Sequence, residues 1–262
     1  MKNVISSVRA TYRILFFMLV ILVYFISASL IYFFNKDISQ RRKKLIFNTK
    51  FYSIFLTRAF NMNLICKNPI PDNEVSLLVG NHMGFIDIVS LQTLSPSSFV
   101  TSTEMRHTPV LGQICELAGC TYVNRGSRAH IQQELEGITQ VLKQGTRVTL
   151  YPEAMASNGE QVLPFKKTLL MAGPISNHPI RPYVFNFRKV NNTGVTFQHR
   201  DSLCWYGDQT FQGALWRSLK LESIECEIEF LPLMYFSANE DRTTVSTSVH
   251  KVISDKFVAF KN

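Results

Sequence analysis

Residues 77–87 read LLVGNHMGFID, and this stretch joins an apolar run to a segment with helical spacing. The apolar run Val75–Val79 is typical of a buried strand, and the turn-rich residues 68–73 (NPIPDN) precede it. A strand that leads through a turn into a helix belongs to folds in which helices cover a sheet. We therefore predict that an α/β domain occupies residues 68–262.

A histidine and an aspartate, His82 and Asp87, lie in the predicted turn and at the start of the helix. Five residues of continuous helix would set their side chains about 140° apart. They meet only if Asn81 to Gly84 form a turn, which Gly80 and Gly84 permit, and if Asp87 lies in the first helical turn. Asp87 would then fix the imidazole tautomer while His82 takes a proton from a hydroxyl. A structural histidine with its hydrogen bonds satisfied is the alternative.

A second polar stretch, VNRGSR at residues 123–128, follows a predicted short strand. Arg125 and Arg128 lie where a helix is expected to begin near Ser127. Guanidinium groups at a strand end beside a helix start are suited to bind phosphate. The alternative is a pair of solvated arginines.

A third stretch, YPEAMASNG at residues 151–159, also follows an apolar strand. Glu153 at the strand end is a candidate to accept hydrogen bonds from substrate hydroxyls or to hold the arginine segment. A loop carboxylate paired with a nearby arginine is the alternative. Lys166 and Lys167 follow in the same loop, where they either meet an acidic acyl donor or form a solvated helix start.

The N-terminal region carries a long apolar run, ILFFMLVILVYFISASLIYFF at residues 14–34, with no charged residue. This length is sufficient to span the hydrocarbon core, and it predicts a transmembrane or membrane-embedded helix over residues 14–35. A cleavable signal peptide is the alternative, but a shorter apolar core followed by a small-residue cleavage site is expected there. Residues 1–13 form a basic flank before the apolar run.

Basic residues are more numerous after the apolar run than before it. Those that precede it are Lys2, Arg9 and Arg13, and those that follow are Lys36, Arg41, Arg42, Lys43, Lys44 and Lys50. This bias predicts that the downstream domain lies on the cytoplasmic face of a bacterial inner membrane. A helix that enters one leaflet and returns is the alternative. Within residues 36–67, Phe47, Phe51, Ile54 and Phe55 recur at helical spacing, which suits either an interfacial helix or a core-packing helix.

The rest of the chain alternates between predicted strands and helices. Strands are predicted at Ser98–Thr101, Thr121–Val123, Arg147–Tyr151, Ile180–Phe187, Val195–Phe197 and Ile224–Leu231. Helices are predicted at Val110–Ala118, Arg128–Lys143, Lys167–Ser176, Asp208–Leu219 and Asp241–Phe260. This alternation predicts an α/β class with a central sheet flanked by helices and an N-terminal membrane helix.

The three stretches, in this order and spacing, together resemble the glycerolipid acyltransferase family. The resemblance rests on the His82/Asp87 pair, on Arg125 and on the Pro152-Glu153 pair, and more loosely on the apolar residues 180–184 and on residues 205–208 (WYGD). It extends from about residue 77 to residue 231. It implies a mixed sheet, catalytic roles for His82 and Asp87, and a phosphate contact for Arg125. The predicted substrate-binding residues are Asn81, Arg125, Arg128, Glu153, Ser157 and Lys166.

The resemblance also implies a reaction. A fatty acyl group would move from acyl-CoA or acyl carrier protein to the hydroxyl of a lysophospholipid, with 1-acylglycerol-3-phosphate giving phosphatidic acid. The family usually has glycine and arginine where this chain has Ala154 and Ala156. A lyso-aminolipid of the lyso-ornithine type is therefore an alternative acceptor. Residues 180–184 are expected to serve acyl-chain or core packing.

Composition and the absence of certain motifs narrow the possible partners, cofactors and functions. A formal net charge of +9 predicts an anionic partner, and charge alone does not choose among a membrane surface, a phosphorylated substrate, an acidic carrier protein and nucleic acid. The five cysteines lack zinc-finger spacing, and no GxSxG or HExxH motif occurs. We expect no metal, no cofactor besides the thioester substrate, and no nucleic acid. A lipid hydrolase and a non-catalytic membrane-surface protein are the rival functions.

Overall fold

The computed structural model describes residues 2–124 and 131–261, which form a helical hairpin followed by an α/β domain. The helices are α1 (Lys2–Phe34), α2 (Ile38–Ala59), α3 (Phe85–Leu94), α4 (Thr103–Arg106), α5 (Leu111–Leu117), α6 (Ile131–Lys143), α7 (Ala172–Ile175), α8 (Arg200–Leu203), α9 (Phe211–Lys220) and α10 (Arg242–Ser254). The strands are β1 (Met62–Lys67), β2 (Leu77–Val79), β3 (Ser98–Ser102), β4 (Thr121–Val123), β5 (Val148–Leu150), β6 (Ile180–Val190), β7 (Thr193–Gly194) and β8 (Ile224–Phe230). Short 3₁₀ turns occur at Leu169–Met171 and Phe197–His199.

The strands form one mixed sheet in the order β1-β8-β6-β2-β5-β3-β4, with β7 paired to β6. Neighbouring strands from β6 to β4 run parallel, whereas β8 is antiparallel to β6 and parallel to β1. This arrangement confirms the predicted α/β class with a mixed sheet flanked by helices. Because β2, β4 and β5 run in the same direction, their carboxyl ends lie at one edge of the sheet. The three polar stretches of the sequence follow these three strands.

The sheet is buried on both faces, as its strand composition requires. The central strands β2 and β5 are fully apolar or small and are inaccessible to solvent along their length. Tyr183 of β6 lies flat against Gly80, at the end of β2, so that a Cβ atom on Gly80 would overlap the tyrosine ring. Glycine is therefore required at residue 80, because the Tyr183 ring approaches the backbone there too closely for a Cβ atom.

The α1 helix contains the predicted apolar segment and extends it toward the N-terminus, to Lys2. Residues Val4–Phe34 form one helix that is long and apolar enough to cross a membrane, by length and composition. Only 17% of its most apolar window is buried against the rest of the protein. Most of its apolar side chains therefore face outward, unlike those of a core helix.

The basic residues at the start of α1 contact the α/β domain. Arg13 is buried and donates hydrogen bonds to the carbonyl of Leu219 in the last turn of α9 and to those of Leu221 and Glu222 just after it. Arg9 donates to the carbonyl of Lys220, the last residue of α9. These guanidinium groups satisfy carbonyls at the carboxyl end of α9 that no helical amide reaches. Residues 1–13, predicted as a flank of the membrane helix, thus include two arginines that bind the carboxyl end of α9.

The second helix, α2, packs along α1 and returns the chain to the sheet. Leu45 and Ile46 are buried, whereas Phe47 and Phe51 are exposed, so α2 combines a packing face with an aromatic outer face. The Asp37 side chain caps its first turn by accepting from the amide of Gln40. The core-packing interpretation holds for the buried face of α2, and the interfacial interpretation of its exposed aromatic face stays a prediction.

Some predicted elements differ from the structure. The predicted domain boundary at residue 68 is too late, because Met62–Lys67 form β1 and pair with β8 over six residues. Residues Val195–Phe197 are not a strand, because the β6 hairpin closes at Thr193–Gly194 and a 3₁₀ turn starts at Phe197. The helix predicted at Lys167–Ser176 is only a 3₁₀ turn followed by the four-residue α7, which contains Pro174. The predicted start of α6 at Arg128 lies outside the described residues.

Gly80→Ala should destabilise the fold by about 1–3 kcal/mol, because the added methyl group must displace the buried Tyr183 ring. The matched control is Gly137→Ala in α6, where a Cβ meets no atom within 4 Å. Alanine there should be neutral or stabilising by up to about 1 kcal/mol. Denaturant unfolding of both variants in detergent micelles measures the difference, and equal stability of the two would contradict the proposed contact.

Candidate active site

His82 and Asp87 meet at the carboxyl end of β2. The imidazole Nδ1 lies 3.1 Å and 3.2 Å from the two carboxylate oxygens of Asp87. Asp87 is the third residue of α3 and is 1% exposed. Its carboxylate also accepts the backbone N–H groups of Met83 at 2.6 Å and Gly84 at 2.8 Å. The chain thus adopts the turn-then-helix arrangement predicted from the sequence.

The turn depends on Gly84, which has φ of +146° and ψ of −152°. A Cβ atom on Gly84 would lie 2.8 Å from the backbone nitrogen of Trp205. That same nitrogen donates a hydrogen bond of 2.9 Å to the carbonyl of Met83. The WYGD segment, which contributed to the family resemblance, therefore packs directly against the turn that carries His82.

Glu153 supports the His82 turn from β5, the neighbouring strand. Its carboxylate is 4% exposed and accepts the backbone N–H groups of His82 and Leu163, each at 2.6 Å. Burial raises the pKa of Glu153 to about 7, against the opposing effect of the two backbone hydrogen bonds. Each carboxylate oxygen of Glu153 thus accepts a hydrogen bond from a backbone N–H group. The predicted contact of Glu153 with substrate hydroxyls is therefore replaced by a structural role that fixes the two loops.

Two further predicted substrate-binding residues also have structural contacts. Asn81 is inaccessible to solvent, and its amide forms two hydrogen bonds to the backbone of Phe185 in β6, at 2.8 Å and 2.9 Å. Asn81 therefore binds the sheet instead of facing a cleft. Ser157 is buried, and its backbone N–H donates to the carbonyl of His82 at 2.8 Å. Its hydroxyl is buried and has no hydrogen-bond partner within the described ranges.

A cavity of about 780 Å³ opens beside this site. It begins at Tyr151 and Pro152 and has apolar walls that include Val100, Val123 and Leu150. Among the described residues, its charged lining side chains are the cations Lys166, Lys167 and Arg242 and the carboxylate Glu134. The structure places Lys166 at this cavity, and its contact with substrate stays a prediction. Arg125 and Arg128 lie outside the described residues.

Sequence reasoning missed two residues of this region, Tyr151 and Arg242. The Tyr151 ring stacks on the His82 imidazole with a centroid distance of 4.2 Å and an interplanar angle of 20°. The sequence offers a signal for Tyr151, because this residue directly precedes the Pro152-Glu153 pair at the end of a predicted strand. Arg242 reaches the cavity from α10, far along the chain, and no local pattern marks it.

The described residues 2–124 and 131–261 contain no group of three or more His, Cys, Asp or Glu side chains arranged to hold a metal ion. The site itself offers one imidazole, two buried carboxylates and an adjacent apolar cavity with cations. This set is suited to proton transfer from a substrate hydroxyl.

Comparison with known proteins finds acyltransferases. An acyltransferase family model matches residues 61–185. A 1-acyl-sn-glycerol-3-phosphate acyltransferase of Neisseria gonorrhoeae is 27% identical over 202 residues, covering 75% of this chain and 77% of the relative. A lyso-ornithine lipid O-acyltransferase of Brucella abortus is 25% identical over 206 residues, covering 76% and 77%.

A solved structure shares the fold. The crystal structure of the 1-acyl-sn-glycerophosphate acyltransferase PlsC from Thermotoga maritima superimposes with a TM-score of 0.68 at 16% sequence identity, covering 100% of both chains. The matched region 61–185 contains the His82 turn, β5 and the Glu153 loop. This chain is an enzyme of the acyltransferase class. The matched segment, the curated relatives and the shared fold support its similarity to the glycerolipid acyltransferases that the sequence motifs indicated.

The pKa of Glu153 has a consequence for stability. Between about pH 4.5 and pH 7, the folded protein retains a proton on Glu153 that the unfolded chain releases, so this group lowers stability as the pH rises through that window. Glu153→Gln removes the titration. The free energy of unfolding of wild type, relative to the variant, should fall by up to about 3 kcal/mol between these pH values.

Denaturant unfolding at pH 4.5 and pH 7 measures this difference. The control is Glu160→Gln, an exposed glutamate in the same loop. If wild type and Glu153→Gln have the same pH dependence, Glu153 does not titrate in this window.

Proposed function

We propose that this enzyme transfers a fatty acyl group from acyl-CoA or acyl carrier protein to the free hydroxyl of a lysophospholipid, with His82 as general base. The observation that carries the proposal is the hydrogen bond of His82 Nδ1 to the buried carboxylate of Asp87. A carboxylate accepts hydrogen bonds, so Nδ1 carries the proton and Nε2 keeps its lone pair for the substrate.

The reaction follows from this geometry. His82 Nε2 takes the proton of the acceptor hydroxyl as that oxygen attacks the thioester carbonyl carbon. The carbon–sulfur bond breaks when the tetrahedral intermediate collapses, and the imidazolium returns the proton to the leaving thiolate. The products are an ester and a free thiol, and no acyl-enzyme forms. Asp87 stabilises the imidazolium throughout.

The solvent exposure of the His82 and Asp87 side chains agrees with these roles. The His82 side chain is 19% exposed, whereas that of Asp87 is 0% exposed. The base is therefore open to a substrate, and its partner is shielded from water. A shielded carboxylate interacts more strongly with an adjacent cation than one in bulk water does.

For the acceptor, we propose 1-acylglycerol-3-phosphate, which would give phosphatidic acid. The cavity beside Tyr151 combines apolar walls with Lys166, Lys167 and Arg242, which suits an acyl chain joined to a phosphate. The Neisseria gonorrhoeae relative carries the name of this activity.

A lyso-aminolipid of the lyso-ornithine type is the second candidate acceptor. The chain has Ala154 and Ala156 in the third stretch, so the arginine typical of the family is absent at residue 156. The Brucella abortus relative is named for this acceptor. A headgroup with less negative charge would need fewer cations at the site.

We also propose that the enzyme is bound to a membrane through α1 and α2 and that its α/β domain lies on the cytoplasmic face. Arg13 near the start of α1 and Phe60 just after α2 both contact the α/β domain. Both open ends of the hairpin therefore meet the same domain, which supports entry into one leaflet and return. The basic residues after α1, including Arg41 and Lys44, suit an anionic lipid surface.

Replacement of the proposed base tests the chemistry. His82→Ala should abolish acyl transfer, and Asp87→Asn should lower kcat by about 10²–10⁴-fold, because the amide does not stabilise the imidazolium. Turnover is measured with acyl-CoA, and separately with acyl carrier protein, as release of the free thiol. His107→Ala, an exposed histidine, serves as the control and should retain full activity. Turnover by His82→Ala close to that of wild type would exclude the base assignment.

A panel of lysolipids tests the acceptor, with the product identified by mass spectrometry. We expect the highest kcat/KM with 1-acylglycerol-3-phosphate. Lys166→Ala and Arg242→Ala should each raise its KM by about tenfold, because a charge-assisted contact to phosphate is lost. Lys189→Ala, at a surface ion pair with Glu225, is the matched control.

The same panel separates the two acceptors. Higher kcat/KM with a lyso-aminolipid, together with unchanged KM in Lys166→Ala and Arg242→Ala, would replace the phosphate acceptor with the second candidate.

A further inference from the structure

The imidazole of His82, the proposed base, is contacted on its ring face as well as at Nδ1. Tyr151 follows β5 directly, and its ring stacks on the His82 imidazole at 4.2 Å and 20°. Phe99 of β3 in turn packs on Tyr151, with centroids 6.1 Å apart and planes at 30°. The Tyr151 side chain lies between the base and the core and is 5% exposed. Its plane is therefore fixed by the core packing.

The hydroxyl of Tyr151 does not explain this placement. It is buried near Asp87 and the hydroxyl of Tyr183, and neither tyrosine hydroxyl has a hydrogen bond of ordinary geometry within the described part of the chain. Burial and the nearby Asp87 carboxylate hold the pKa of both phenols well above the usual value. Both tyrosines are therefore neutral and supply no charge to the site.

We propose that Tyr151 is a positioning residue for the proposed base, whose aromatic ring fixes the plane of the His82 imidazole and stabilises the imidazolium that forms during transfer. The inference rests on the proposed function and adds the residue that sets the orientation and strength of its base. His82 is then held by Asp87 at Nδ1, by Glu153 at the backbone N–H, by Ser157 at the carbonyl and by Tyr151 on the ring face.

The physical basis is the electron-rich face of an aromatic ring. A cation over such a face is stabilised, more so where water is excluded, and neutral imidazole benefits much less. The ring also removes rotation of His82 about its Cβ–Cγ bond, which keeps Nε2 directed at one position. Among the described residues, the charged and titratable groups near His82 are Asp87, Glu153 and Tyr151. Tyr183 and Cys204 in turn interact with Asp87.

Three variants separate the ring from the hydroxyl and from core packing. Tyr151→Phe retains the ring, Tyr151→Leu removes it, and Phe99→Leu removes an aromatic neighbour of Tyr151 while leaving the stack on His82. Each is measured for kcat, KM and the pH dependence of kcat/KM in the full-length enzyme. Thermal unfolding monitors the fold, and Tyr151→Met replaces Tyr151→Leu if the leucine variant is unfolded.

Tyr151→Phe and Phe99→Leu should keep kcat within about threefold of wild type. Tyr151→Leu should lower kcat by about 10- to 100-fold, in line with the loss of a shielded cation–aromatic contact and of the fixed orientation. Its KM should stay within about twofold. The acidic limb of its pH profile should move to lower pH, because the imidazolium is less stabilised without the ring.

Two results would overturn the proposal. One is a Tyr151→Leu enzyme with the kcat and pH profile of wild type. The other is a Tyr151→Phe enzyme as impaired as Tyr151→Leu, which would assign the effect to the hydroxyl. Failure of the proposed function is distinguishable, since it would appear as retained turnover in His82→Ala, whatever the Tyr151 variants show.

Discussion

The site depends on the buried carboxylate of Asp87 in the first turn of α3. It accepts the backbone N–H groups of Met83 and Gly84 and also holds the imidazole of His82. The two backbone bonds create the turn, and the third bond orients the base, so one carboxylate determines both the local fold and the chemistry. Its position at a helix N-terminus, where a negative charge is stabilised, explains why it is tolerated at 1% exposure.

The sheet supplies the remaining contacts by bringing distant segments to one edge. Because β2 and β5 are paired in parallel, the residues after β5 lie beside the turn after β2. Glu153 thereby reaches the His82 backbone and Tyr151 reaches its ring. The turn is also bound by β6 through Asn81 and by the WYGD segment through Met83. The proposed base thus lies on a rigid support, beside a cavity of about 780 Å³.

The parts that the sequence predicted are the local ones. The turn around His82 follows from a five-residue spacing and two glycines, and the apolar helix follows from an uninterrupted run of residues. Predictions failed where a partner comes from a distant strand. Asn81 and Glu153 are polar residues beside the motifs, but their partners are backbone groups of Phe185, His82 and Leu163, which only strand pairing and loop packing reveal. Arg242 was missed for the same reason, whereas Tyr151 had a usable signal in its position directly before Pro152-Glu153. The strand β1 was missed because its pairing partner β8 is about 160 residues away.

The most direct test of the account is the tautomer of His82, measured by NMR of ¹⁵N-histidine-labelled enzyme in detergent micelles, with the resonance assigned by its loss in His82→Gln. The account predicts a proton on Nδ1, hydrogen-bonded to Asp87, and an unprotonated Nε2 at a pH where the enzyme is active. A neutral imidazole with its proton on Nε2 would contradict it, because that nitrogen would have no lone pair to accept the proton of a hydroxyl.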